Sequence, residues 1–226
     1  MSALDPPADM LAAHPETAYF WGRVAGDGDL TADCVTVRTN DGTAAERLAA
    51  VAGADDTVGG TGVDDRIVER EYAHDTSITR AEEEFTVQVF GDLADRASAA
   101  FGLPIDGQPG GYRLDTFDEH RRQLLRGLLE GCGTVCFKSS AGTVGISFVH
   151  DDRRLLERID ALLSAIPVAA PTGEVSESSS GGYWFGLADD AAPDVGPWLY
   201  EGSGGSGLFA PSRRAKLLRS LDRIDA

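Results

Sequence analysis

Two short stretches decide how this chain reads: Phe20-Trp21-Gly22-Arg23-Val24-Ala25-Gly26-Asp27-Gly28 and Leu125-Arg126-Gly127-Leu128-Leu129-Glu130-Gly131-Cys132-Gly133. Both spell G-x-x-x-G-x-G behind an apolar start, and the second lies 105 positions after the first. A glycine inside a helix costs on the order of 1 kcal/mol relative to alanine. Two glycines four residues apart, repeated in a second copy, therefore need a compensating gain. Residues i and i+4 share one helix face, and two faces that lack side chains let two backbones come close, as small-xxx-small pairs do. The spacing predicts two helices packed side by side through Gly22, Gly26, Gly127 and Gly131. Their C-terminal ends then lie together, with Asp27 near Cys132. A dinucleotide-binding reading of Gly22–Gly28 fails, because the glycines follow a helix rather than a strand and their order is wrong.

Outward from each stretch the elements repeat. After the first come a short strand and then Cys34–Thr39, where Val35 and Val37 alternate with Cys34, Thr36 and Arg38. A helix follows, with Thr43 and Glu46 as a capping box and Gly53 as its stop. Strands are expected at Ile67–Ala73 and Phe85–Phe90, and a helix from about Asp92 to Phe101 ended by Gly102. In the second half Thr116 and Glu119 read as a capping box before the motif. Strands are expected at Thr134–Phe137 and Val144–Val149. Leu155, Leu156, Ile159, Leu162, Leu163 and Ile166 then mark an amphipathic helix starting near Asp151 and stopped by Pro167. Strands at Glu174–Glu177 and Tyr183–Leu187, a helical turn at Trp198–Glu201 and a helix from about Ser212 to Ile224 complete the chain. Each half is α-β-β-α-β-β-α. The fold class is α+β, with two antiparallel saddle sheets and two central motif helices. One repeat covers 15–112 and the other 113–226, forming one compact pseudo-dimeric domain and a monomer with an internal pseudo-two-fold.

The 226 residues include 37 acids and 20 bases, a net charge of −17, and only Lys138 and Lys216 among the bases are lysine. Such acidity is a device of proteins adapted to high salt, and taken over the whole chain it speaks against nucleic-acid binding. Hydrophobic residues at 42% and charged ones at 25% suit a packed protein. Cys34, Cys132 and Cys136 lack CxxC spacing, and His14, His74, His120 and His150 do not pair at ligand spacing, which argues against disulfide and zinc frameworks. No apolar run approaches the roughly 18 residues of a membrane span, and Met1–Leu11 has no signal-like core. A cytoplasmic location is expected.

At these residues the chain resembles the LAGLIDADG homing endonucleases in their single-chain, two-repeat form, from about Pro15 to Ile224. Trp198-Leu199-Tyr200-Glu201-Gly202 and Arg213-Arg214 on a terminal helix are similar to that family's ending. The resemblance implies a saddle of strands on the major groove of double-stranded DNA. It also implies an acid at the eighth position of each motif that holds a divalent metal, Mg²⁺, for phosphodiester hydrolysis. Here the eighth position is Asp27 in the first copy and Cys132 in the second, and a thiol is a poor Mg²⁺ ligand. Asp27 is thus the residual catalytic and metal candidate. Glu130, two residues before Cys132, is a poor substitute because it points elsewhere on its helix. The implied DNA contacts are Arg38, Arg66, Arg70, Arg113 and Lys138, interleaved with Glu69, Glu71, Glu174 and Glu177. Arg121-Arg122, Arg153-Arg154 and Arg213-Arg214 fall on helix surfaces away from that saddle.

Three functions follow. The first, favoured by Cys132, is a cleavage-deficient protein that keeps a nucleic-acid-binding or regulatory role. The second is an active site-specific, Mg²⁺-dependent DNA endonuclease using Asp27. The third is a repurposed scaffold binding a protein or small molecule, motivated by the acidic strands and Tyr183-Trp184-Phe185. For that third reading, Tyr19–Leu30 is similar to haloarchaeal proteins encoded among cobalamin-pathway genes, although no residue pattern marks a corrinoid site.

Overall fold

The computed structural model describes residues 5–53, 59–72, 75–179 and 181–224, with 69–80 by backbone alone. The first motif forms helix α1, Pro15–Asp27. Proline at its first turn gives up no helical bond, and the Thr17 hydroxyl donates to the Ala12 carbonyl at 2.6 Å while accepting from the His14 N–H at 3.2 Å. Gly28 ends the helix and begins β1 (Gly28–Thr31), which turns into β2 (Cys34–Thr39). Helix α2 (Gly42–Ala52) is capped by Asp41, whose carboxylate accepts from the Ala44 N–H at 3.2 Å. The capping residue is therefore Asp41 and not Thr43, because the helix starts one residue before Thr43.

Strands β3 (Gly60–Tyr72) and β4 (Asp75–Phe90) then form a hairpin far longer than the expected Ile67–Ala73 and Phe85–Phe90. Asp64, Asp65 and Arg66 in β3 and Glu82 and Glu83 in β4 fall in the stretches beyond those expected, so no apolar alternation marks them in the sequence. Ala73 and His74 lie outside the described residues. Helix α3 (Leu93–Phe101) stops at Gly102, which takes the left-handed conformation at φ 64°.

A 3₁₀ turn, Asp115–His120, leads into the second motif helix α4 (Arg121–Cys132). No side chain caps α4, so the expected Thr116–Glu119 box is replaced by continuous coiling from the 3₁₀ turn. Strands β5 (Gly133–Lys138) and β6 (Thr143–His150) follow, then α5 (Arg153–Ser164), capped by Asp152. Strand β7 shrinks to Ser176–Glu177, leaving Glu174 ahead of it, and β8 is Tyr183–Gly186. Where only a turn is expected, α6 runs from Ala192 to Tyr200 and keeps Pro197 within it. Prolines 193 and 197 hide this helix from a propensity reading. The short α7 (Ser203–Ser206) and the terminal α8 (Pro211–Leu221) close the chain.

Two four-stranded antiparallel sheets result, ordered β1-β2-β4-β3 and β5-β6-β8-β7. The order is the same in both, with the first two strands of each half at one edge. Val35, Val37, Val87 and Val89 point into the core from the first sheet, and Val135, Val144, Ile146, Phe148 and Phe185 from the second. The helices cover those faces. Alternate residues, among them Thr36, Arg38, Thr86 and Gln88 in the first sheet, face outward. Among the described residues no helix is long and apolar enough to cross a membrane.

Candidate nucleic-acid interface

The centre of the molecule is the seam between α1 and α4. A Cβ placed on Gly26 would lie 3.0 Å from the Cys132 nitrogen, and one on Gly131 would lie 3.0 Å from the Gly26 Cα and 3.2 Å from the Asp27 nitrogen. One on Gly22 would overlap the Leu124 carbonyl oxygen, and one on Gly127 that of Tyr19. All four predicted glycines therefore sit where backbone meets backbone, and the seam brings Asp27 and Cys132 together at one end.

Their chemistry differs. Asp27 is exposed at the last turn of α1. The Cys132 thiol turns back into its own helix and donates to the Leu128 carbonyl at 3.5 Å. Burial, with the Asp27 charge second, pushes this thiol up to about 12. It is a neutral packing group at neutral pH. Among the described residues no three of His, Cys, Asp and Glu converge to hold a metal ion.

Glu130 lies in the opposite environment, 2% exposed. It accepts from the Tyr19 hydroxyl at 2.6 Å, the Tyr200 hydroxyl at 2.9 Å and the Ala210 N–H at 2.9 Å. Burial raises its pKa, against the opposing pull of Arg23 and the three donors. Arg126, one turn earlier and also buried, donates to the carbonyls of Leu199 at 2.7 Å and Leu208 at 2.8 Å. These two side chains bind the segment from α6 to α8 onto the motif helix. The sequence signal for them is a charged pair spaced i, i+4 inside an apolar helix, which calls for buried partners.

A polar cavity of about 250 Å³ opens at this end, bordered by Arg23, Asp27, Arg38, Glu83 and Arg213. Arg23, 2% exposed, reaches the Arg38 carbonyl at 2.7 Å, while its buried Nε has no partner. Arg213, expected on a helix surface away from the saddle, borders this cavity instead, and nothing in the sequence marks Arg23, which occupies no motif position that carries chemistry.

On the outer face of the first sheet, Arg38 is exposed and Arg66 pairs with Glu84 through its Nε at 3.0 Å. The register sets Asp29 beside Thr36, Asp64 beside Thr86, and Arg66 beside Glu84. Glu82 shares this face, and so by register do Arg70 and Arg80, so arginines and acids alternate along it. The side chains of Glu69, Arg70 and Glu71 lie outside the described residues. Arg113 is not on a strand: it follows α3 and turns its guanidinium onto the carbonyls of Ala99 and Ala100 at that helix's end.

The outer face of the second sheet is almost uncharged. Thr134, Cys136, Gly145, Ser147, Val149, Trp184 and Gly186 share it, and Lys138 is neutralised by Asp189 at 2.7 Å. Within Tyr183-Trp184-Phe185 only Trp184 is exposed, while Phe185 stacks on Phe148 in the core at 5.4 Å between ring centroids. An open groove of about 760 Å³ runs over this face. Arg121 pairs with Asp118, Arg122 with Glu201, Arg153 with Glu157 and Arg154 with Asp152.

Comparison with known proteins places this architecture. A LAGLIDADG family model described as "Putative archaeal homing endonuclease" matches residues 1–226. The structure of the homing endonuclease I-WcaI bound to its DNA recognition sequence is similar at 9% identity, with a TM-score of 0.56 over 91% of this chain and 87% of that one. The N-terminal LAGLIDADG domain of DUF199/WhiA is similar at 12% identity, with a TM-score of 0.50 over 99% of this chain and all of that one. At such identities the likeness shows the fold. No curated protein matches the chain.

Proposed function

This chain belongs to the LAGLIDADG family, and from that premise we propose that it binds double-stranded DNA without cutting it. One observation carries the reading. The two helix ends that meet at the centre present a carboxylate, Asp27, on one side and a protonated thiol, Cys132, on the other. In-line hydrolysis with a pair of metals needs hard oxygen ligands from both sides. Glu130, the one acid on α4, spends its oxygens on two tyrosines and a backbone N–H inside the protein. The donor set does not fit a metal pair, so no hydrolytic step is assigned to it.

Binding is supported by what the chain keeps. The seam, the duplicated sheets and their outward faces are retained, and the I-WcaI structure of the same fold is a complex with DNA. Two repeats in one chain supply both halves of the seam, which suits a monomer. Neither outer face concentrates negative charge: the second sheet is near-neutral and the first alternates arginines with acids, so a duplex can approach both despite the acidity of the whole chain. The test is an electrophoretic mobility shift on random-sequence duplex pools, from low salt to molar KCl. A salt-sensitive shift is expected, and the absence of a shift with any duplex at any salt overturns the reading.

A further inference from the structure

Helix α8 concentrates positive charge in a protein whose net charge is −17. From Ser212 to Arg223 the helix and the turn after it carry Arg213, Arg214, Lys216, Arg219 and Arg223 against the single acid Asp222. Lys216, Arg219 and Arg223 are exposed, and none has a carboxylate partner among the described residues. Elsewhere cations are mostly neutralised locally, as Arg66 is by Glu84, Arg96 by Asp92, Lys138 by Asp189 and Arg158 by Asp115. Lys216 and Arg219, three residues apart, share one face of the helix, and Arg223 follows in the turn after it.

The placement of these cations adds a second observation. Helix α8 lies along β5, the edge strand of the second sheet. An open cleft of about 470 Å³ at this edge is bordered by Val135, Cys136 and Phe137 on the strand and by Lys216, Arg219 and Arg223. Arg223 is seated 3.9 Å above the Phe137 ring centroid, which fixes its guanidinium at the cleft. At the other end Arg213 borders the cavity that holds Asp27, and it reaches the Gly133 carbonyl at 3.5 Å. The cations therefore start at the centre between the repeats and continue beside the sheet edge. Six residue steps from Arg213 to Arg219, at a rise of about 1.5 Å each, extend the helical part of the row over roughly 9 Å, and Arg223 continues it in the following turn.

We propose that α8 is a phosphate-contacting element that follows the backbone of one strand of a bound nucleic-acid duplex, an inference resting on the DNA-binding reading above. A small anion needs donors that converge in an enclosed pocket. These cations instead lie in a row along an open cleft, which matches a linear polyanion carrying one charge about every 3.4 Å per strand. They also provide attraction at the edge of a sheet that has almost no charge of its own.

The test uses the full chain and random-sequence duplex DNA, with affinity measured by fluorescence anisotropy over a range of KCl. Neutralising Lys216→Gln, Arg219→Gln and Arg223→Gln together is expected to weaken binding about tenfold or more. It should also lower the slope of log affinity against log salt by about 2 to 3, near 0.9 per lost contact. Arg219→Lys with Arg223→Lys should keep the slope, since a phosphate accepts a point charge. Arg153→Gln with Arg154→Gln on α5 should change nothing, and thermal melting checks that each variant is folded. A neutralised variant that binds with the parental slope overturns this inference and leaves the DNA-binding reading standing. Loss of binding in the lysine variant also overturns it. A parent that binds no duplex overturns both.

Discussion

The two motif helices are near-copies where they touch and unlike where they face away. Along the seam α1 and α4 present the same glycines at the same spacing, and a Cβ would overlap the facing helix's backbone at Gly22 and Gly127 and crowd it at Gly26 and Gly131. On the far sides α1 buries Trp21 and Ala25 at the two positions where α4 buries the charged Arg126 and Glu130. At the tips one ends in an exposed carboxylate and the other in a neutral thiol. Close packing constrains both copies equally, because neither helix can move without the other. Chemistry at the tips carries no such constraint, so one half can lose an acid and the fold is unaffected.

That contrast can be broken experimentally. The largest effect is expected at the seam. Gly127→Val drives a branched side chain into the Tyr19 carbonyl and should cost more than the about 1–3 kcal/mol of ordinary overpacking, read as loss of the cooperative unfolding transition. Glu130→Ala comes next. It strands two tyrosine hydroxyls and the Ala210 N–H, and on the order of 3 kcal/mol should disappear in urea unfolding.

Glu130→Gln sharpens the same point through pH. The folded state holds Glu130's proton more tightly than the unfolded chain, because burial raises its pKa. Its contribution is fully present below the unfolded value of about 4.3 and is lost as pH rises through the folded value. Stability of the parent minus that of the glutamine variant should therefore fall as pH rises from that point. A difference that rises instead contradicts the assignment.

At the tips the effect is smaller. Cys132→Asp sets a second carboxylate beside Asp27, and like charge should cost about 1 kcal/mol without divalent ions. Mn²⁺ should then raise the melting temperature of this variant and leave the parent's nearly unchanged. The smallest change is Gly204→Ala in α7, a glycine with nothing within 4 Å of its would-be Cβ. It should be neutral or stabilise by about 0.5 kcal/mol.

The sequence reveals the seam because the penalty for helical glycine is local and its repetition is not accidental. It reveals the strands whose inward residues are apolar, such as Val35 and Val37 or Val144, Ile146 and Phe148. It conceals the start of β3, residues 60–66, and the first ten residues of β4, 75–84, where polar residues and glycines leave no apolar alternation, and α6, where two prolines stand in a helix. It misplaces Arg113 on a strand, because a basic residue after Tyr112 looks the same whether it faces DNA or caps a helix end. The tip of α4 is legible as a departure, Cys132 for an acid, but where Glu130 spends its bonds is not. Its partners Tyr19, Tyr200 and Ala210 are 70 or more residues away along the chain. The row on α8 and the turn after it is visible as Arg213 to Arg223, and only the packing beside β5 gives it a direction.

The central claim is that the seam persists while the metal pair does not. Its most direct test is strand scission on duplex DNA to which the protein is demonstrably bound, with Mg²⁺ or Mn²⁺ added and products resolved on a denaturing gel. The account predicts intact strands at every metal concentration. Metal-dependent cleavage that Asp27→Asn abolishes would contradict it.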